Sequence, residues 1–466
     1  MSSTFSGLNT AYSALVAQRR ALETTGQNVA NVNTPGYTRQ RANLEAQGGP
    51  AVPAMYSKYE GAGDGVKVVG VDRITDTFLQ SRAQNEAAKL ASQQTIATSL
   101  SRIEDVFPEP SDSALGSNLA DTWNAWADVA NSPGDEAPRS ALLQQAQTLT
   151  GNINAASKNL SDQWSQQRDE LSVTVDEVNV AAKGIAELNL AIRRDTQAGV
   201  PANELKDRRD ALVDKLASLV GATGRQGEDG VVDVYLGGTA IVRGADADAL
   251  RLEGPTKLAD VTAASQLRIV RDKDGYPSSV SSGKAAGALE TLNSTLPTYS
   301  QKLDGLASTV ATSVNAIWST GYDLDGNPAG GNFFGSSDGG PVKAANLTVL
   351  VTDPRKVAAS GDAAKRLDNA VANKIAAIAG KVDGPDGVYR DLVANLAVES
   401  QTAQTRLTTQ KSVSEKATDA LDSVRGVDTD EEMTNLLAYQ RGYEAAARVM
   451  NSINSTLDTL INMVGR

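Results

Sequence analysis

The sequence predicts a mainly α protein with an inserted β module, and three observations carry that prediction. Both ends place apolar residues at alternating gaps of three and four; long Gly-poor stretches between them keep helical spacing; and from Gly221 the pattern changes to β-branched runs cut by Gly and Asp. At 466 residues the chain exceeds one compact core, so about two to four domains are expected. The expected partition has a terminal coiled-coil inner domain (residues 1–60 and 420–466) and a long-helix domain (61–220 and 284–419) with a short β excursion near 321–352. A β-rich outer domain at 221–283 completes it.

In the first helix Phe5, Leu8, Tyr12, Leu15, Leu22 and Val29 form a heptad seam, with Arg19 and Gly26 in the same frame. The helix should end near Asn33, because Thr34 precedes a proline and Pro35-Gly36 suits a tight turn with positive φ at its second position. A polar, Pro-containing segment follows. Gly61 to Arg82, GAGDGVKVVGVDRITDTFLQSR, then reads as a glycine-punctuated strand and a helix; with no Gly-Lys-Ser/Thr after them, its glycines are turn residues rather than a phosphate cradle.

Helical patterning runs on to about Val220. Leu171, Val175, Val178, Ala182, Ile185 and Ile192 keep the four-three spacing, with Asn189 in the remaining slot, so a long rod-like helix is expected. Gly199 and Pro201 reverse the chain, and Leu205, Leu212, Leu216 and Leu219 supply a returning apolar face, while the charges between Arg193 and Asp214 read as solvated. After the β module, helical periodicity resumes, broken by a glycine-rich excursion from Gly321 to Gly340 and a strand near Leu347 to Val351. At the C-terminus Leu436, Tyr439, Tyr443, Ala446, Met450, Ile453, Leu457, Leu460 and Val464 form the cleanest seam in the chain. Asp428 or Asp430 can cap that helix, with Glu431 and Glu432 at the positive end of its dipole.

The chain has no Cys and no His, which removes thiolate nucleophiles, Cys/His zinc sites, disulfides and the ordinary neutral-pH proton shuttle. A formal charge of -12 with no strongly basic segment argues against a nucleic-acid partner. No cofactor or metal is expected. Asp323 to Asn327, DLDGN, starts like a calcium loop but has Phe334 where the closing Glu belongs, and Asp272 to Gly275 is a hairpin turn. Ser281 and Lys284 have the Ser-x-x-Lys spacing of a histidine-free serine nucleophile but no companion motif, which leaves a serine hydrolase on a helical scaffold as the remote alternative. Trp123, Trp126 and Trp164 read as packing anchors. The N-terminus lacks a cationic start and an apolar h-region, and no run approaches a membrane span, so by these signals alone the chain reads as soluble and cytoplasmic, without membrane insertion. An export machine that reads a polar N-terminus would leave no such signal. Two matching seams at opposite ends point instead to assembly with copies of itself or related chains.

Gly7 to Gln40 resembles the N-terminal signature of flagellar rod, hook and hook-associated proteins, whose Asn-x-Ala-Asn-x-x-Thr-x-Gly-Tyr pattern is met by Asn28, Ala30, Asn31, Thr34, Gly36 and Tyr37, with Pro35 inside the turn. Gly61 to Arg82 resembles the next block, and Asp430 to Met463 the C-terminal block, of the hook-associated branch. GYTRQ, the long helices and Gly321 to Phe334 favour the branch at the first hook–filament junction over hook or distal-rod proteins. The resemblance implies a structural protein, exported through the flagellar type III channel with a chaperone and with ends disordered until assembly. It further implies one ring of copies, with hook protein on one side and a second junction protein and the filament on the other.

Overall fold

The computed structural model describes residues 4–47, 63, 65–111 and 114–464; expectations for 48–62 fall outside it, as do the side chains of Phe5 and Val464. The chain begins with α1 (Thr4–Ala30), a hairpin of β1 (Gln40–Gln47) and β2 (Gly65–Arg73), then α2 (Thr77–Glu104), α3 (Leu115–Asn131), α4 (Glu136–Gln197) and α5 (Asn203–Val220). Six short strands follow: β3 (Thr223–Gln226), β4 (Val232–Leu236), β5 (Thr239–Arg243), β6 (Asp246–Ala247), β7 (Leu250–Glu253) and β8 (Arg268–Arg271). The rest comprises α6 (Lys284–Glu290), α7 (Leu296–Trp318), β9 (Phe334–Ser336), β10 (Leu347–Val349), α8 (Ala370–Ala376), α9 (Pro385–Arg425) and α10 (Thr429–Val464). This is the expected fold class, mainly helical with small sheets.

Two differences from the expected elements are local. α1 stops at Ala30, earlier than Asn33, because from Asn31 on the backbone bonds shorten to i→i−3, Val32 N to Val29 O and Thr34 N to Asn31 O, which tightens the chain into the turn. The segment after the turn, given no element from its sequence, contains β1, which pairs antiparallel with β2 from Gln40↔Arg73 to Gln47↔Gly65. A strand with little apolar alternation carries no clear periodic signal, and its partner supplies the ladder.

The chain divides into two compact units, 1–87 with 179–248 and 412–466, and 88–178 with 249–411. The boundary between the units falls inside the β segment, between Asp248 and Ala249. In the first unit β3–β4–β5–β6 form one antiparallel sheet. Fully buried Asn189, on α4, donates to the Val232 and Gly244 carbonyls at 2.8 Å and accepts from Val232 N at 3.0 Å. Its place in an apolar seam is explained by those bonds, which tie helix to sheet. In the second unit β7–β8 form their own pair, and Asn293 clips it by accepting from Leu267 N and donating to Leu267 O.

The second unit has an aromatic core. Trp126, Trp318 and Phe333 are all fully buried, with ring centroids 5.1–6.3 Å apart, and Phe334 stacks edge-on to Phe333 at 4.8 Å. Trp164 Nε1 donates to the Leu292 carbonyl at 3.0 Å, and Trp123 Nε1 to Asp386 at 2.9 Å. The tryptophans are packing anchors. Asp323 accepts from the backbone N–H of Asp325 and Asn327, which makes DLDGN a turn.

Candidate assembly site

The signature sequence builds a polar clasp. Asn31, Thr34 and Gly36 make the turn: Thr34 Oγ1 donates to Asn31 Oδ1, Tyr37 N donates to Thr34 O at 3.1 Å, and Gly36 has φ +78° after Pro35. This is a type II arrangement in which Pro supplies the first central residue and only Gly takes the second without strain. Its consequence is to bring Tyr37 back onto α1.

There Asn28, 1% exposed, uses its whole amide. Its Oδ1 accepts from Tyr37 Oη at 2.8 Å and Gln40 N at 2.9 Å, and its Nδ2 donates to Gln40 O at 2.8 Å and Glu432 Oε2 at 3.0 Å. Glu432 is 2% exposed and lies in the first turn of α10, where Asp428 is the cap, accepting from Asp430 N and Glu431 N. Its other oxygen accepts from Arg39 Nε at 2.7 Å, while the Arg39 fork also holds Glu431 at 2.7 Å. The exposed Glu431 carboxyl is thereby held below its usual range. Burial, followed by Asp207, Glu432 and Glu204, pushes the Tyr37 phenol up to about 12, so it stays a neutral donor to Asn28.

A second set of ions ties the hairpin to α5. Arg73 Nη1 lies 2.7 Å from Asp207 and 2.8 Å from Asp210, Thr38 N donates to Asp207, and Arg209, 2% exposed, pairs with Asp210 and donates to the Gly230 carbonyl. Asn203 Nδ2 reaches Val71 O and Gln40 Oε1. The expectation that charges from Arg193 to Asp214 are all solvated is thus corrected for Asp207, Arg209 and Asp210. Apart from the adjacent Arg209–Asp210 pair, their partners stand more than a hundred residues away or on the neighbouring loop, and no local spacing announces them.

α1 and α10 pack against each other antiparallel. A Cβ on Gly7 would meet Ile453 Cδ1 at 3.3 Å, one on Gly442 would lie 2.9 Å from Gln18 Cδ, and Asn28 meets Glu432. Each step along α1 is matched by an equal step back along α10, so the pair has one register. The buried face of α1 consists of small and polar residues, Ala11, Ala17, Ala21, Thr24, Thr25 and Asn28.

Within one chain the buried face of α1 is a different set of residues from the expected N-terminal assembly seam. Leu8, Leu15, Leu22 and Val29 are half-buried and Tyr12 is 60% exposed. The reason is side-chain size: a heptad search selects the largest apolar residues, whereas close helix approach selects the smallest. On α10, Leu436, Tyr439, Ala446, Met450, Ile453 and Leu457 are half-buried, and Tyr443 and Leu460 are exposed. In the signature, Asn31 and Tyr37 are half-buried, and Ala30, Thr34, Pro35 and Gly36 lie at the surface. Ser281 and Lys284 are both exposed, with Lys284 opening α6. Glu432, Arg39, Asp207 and Asp210 are the site residues that sequence reasoning missed; the one local hint was a pair of glutamates at a helix start beside a signature rich in cations.

Paired terminal helices, a rigid turn and a buried ionic clasp define a structural protein built around its two ends. Family models match along the chain: flagella basal body rod protein at residues 8–38, flagellar hook-associated protein FlgK helical domain at 100–334, and flagellar basal body rod FlgEFG protein C-terminal at 423–463. Flagellar hook-associated protein 1 of Bacillus subtilis (strain 168) is 32% identical over 100% of this chain and 99% of its own. Its counterpart in Salmonella typhimurium is 27% identical over 98% and 99%. The solved flagellar hook junction protein FlgK from Burkholderia pseudomallei shares the fold, with a TM-score of 0.64 and 16% identity over 74% of this chain and 100% of that one. The chain belongs to the flagellar hook-associated protein 1 family, and is a structural component of the extracellular flagellum rather than an enzyme.

Proposed function

We propose that this structural protein of the hook–filament junction works as a ring of copies held through α1 and α10, with hook protein on one side and the second junction protein and filament on the other. The observation that supports this reading is the apolar surface left open on the terminal pair: Tyr12 and Val16 on α1, and Tyr443, Val449, Leu460, Ile461 and Met463 on α10. A single chain leaves that surface in water, and packing against neighbouring copies removes it. The clasp turns the chain away from α1 at a set point, which keeps the helical pair in one place relative to the hairpin. Export through the flagellar type III channel, with a chaperone, belongs to the same proposal and fits a chain without cysteine.

The test is electron microscopy of cells lacking the gene, with released flagellin measured in the medium. Hooks without filaments and flagellin lost to the medium are expected; missing hooks would move the protein to the hook or distal rod, and normal filaments would overturn the reading. Ile453→Asp and Leu457→Asp are expected to abolish incorporation while the 88–178 and 249–411 unit stays folded.

A further inference from the structure

Apart from Gln18, which sits against Gly442, the face of α1 that meets α10 is built of small residues. Ala11, Ala14 and Ala21 line up with Gly7, and the α10 face opposite them repeats half-buried apolar side chains at heptad spacing. Sliding α10 by one helical turn would set similar apolar groups against similar small ones, except that Gln18 would face Ala438 or Ala446 in place of Gly442, so burial of apolar area discriminates weakly between neighbouring registers. The polar contact at the end of the pair is different. Glu432 has a carboxylate with both oxygens engaged, Oε2 by Asn28 Nδ2 and Oε1 by Arg39 Nε, and its side chain is 3% exposed. Asn28 in turn has its amide orientation set by two donors on Oδ1, Tyr37 Oη and Gln40 N. A slip of one turn takes the buried Glu432 carboxylate away from both Asn28 and Arg39, while Asn28 keeps Tyr37 and Gln40 and loses one acceptor, and apolar contacts cannot replace the loss at the carboxylate.

We infer that the Asn28–Glu432–Arg39 clasp is a register lock, which selects one antiparallel alignment of α1 and α10 from several that the helix surfaces alone would accept. The signature turn is what makes the lock possible, because it returns Tyr37 and Arg39 to the end of α1. The lock sets the height at which the open apolar stripe of α1 stands relative to the exposed residues of α10. This goes beyond the ring reading and does not require it, since register is a property of one chain.

The native chain has no cysteine, so introduced pairs report cleanly. Ala14→Cys with Ala446→Cys probes the observed alignment, and Ala14→Cys with Met450→Cys probes a slip of one turn. Oxidative cross-linking is run in hook–filament preparations and in the purified full-length chain. With the clasp intact the first pair is expected to exceed the second by at least about tenfold. With Asn28→Leu and Glu432→Leu together, which remove both polar partners, the ratio is expected to fall toward one while the helices still pair. The near-isosteric Glu432→Gln, which keeps the volume and replaces an acceptor with donors, is expected to give an intermediate ratio. Comparable yields from both pairs in the native chain, no cross-link in either sample, or an unchanged ratio in the double variant would overturn the lock. Absence of the chain from hook–filament preparations counts against the ring reading alone, because the purified chain still reports its register.

Discussion

The two compact units are held by different physics. In the 88–178 and 249–411 unit, Trp126, Trp318 and Phe333 meet ring to ring with no exposure to speak of, and stability there follows the volume of apolar side chains. In the other unit the ends of the chain meet through Asn28, Arg39 and Glu432, and the hairpin meets α5 through Arg73, Asp207 and Asp210. Ionic contacts of this kind add little net stability but punish misalignment, because each partner is costly to leave alone in a buried place. One unit is thus built to be stable, the other to be in register.

That contrast can be broken first at the aromatic core. Trp126→Ala is expected to cost about 3–5 kcal/mol in chemical denaturation, the largest effect considered, with the clasp unaffected; an unchanged midpoint would remove the cluster from the account. Glu432→Ala, which leaves Arg39 with Glu431 alone and Asn28 Nδ2 with Gln40 O alone, is expected to cost about 2–3 kcal/mol, seen as faster proteolysis of the chain ends. Restoring an apolar pair with Arg39→Leu and Glu432→Leu should recover most of that stability without restoring register. Gly36→Ala places a side chain at φ +78°, and a loss of about 1–2 kcal/mol is expected from thermal melting.

Alkaline pH sharpens the comparison by acting on Tyr37. Its pKa is raised by folding from 10 to about 12, so its contribution is fully present below pH 10 and is lost as pH rises toward 12. Ends of the native chain should loosen over that window more than those of Tyr37→Phe; identical profiles would mean that the phenol is not coupled to the fold. The smallest effect belongs to the surface pair Arg19–Glu23, at 74% and 46% side-chain exposure, where Arg19→Ala should leave the melting midpoint unchanged.

The long helices are legible because periodicity is local. Leu171 through Ile192, the α10 seam, the Asp428 cap and the Thr34–Tyr37 turn each depend on residues within a few positions of one another, and the signature that identifies the family is itself a local pattern. β1 is hidden because its ladder is supplied by β2, and β3–β6 and β7–β8 are separate sheets whose ties, Asn189 for one and Asn293 for the other, lie far apart in the sequence. The buried face of α1 escapes the sequence for a similar reason. A seam search rewards large residues, but α10 meets α1 where one partner is glycine, at Gly7 against Ile453 and Gly442 against Gln18.

By itself, then, the sequence determined helix content, the turn, the class of protein and the exclusion of thiol and imidazole chemistry, all consequences of composition and short-range spacing. Only the tertiary structure decided which face of α1 is buried and that Glu432, far along the chain, completes the amide of Asn28. The reason is that burial of a charge depends on what stands opposite it, and nothing in the neighbouring residues specifies an opposite partner.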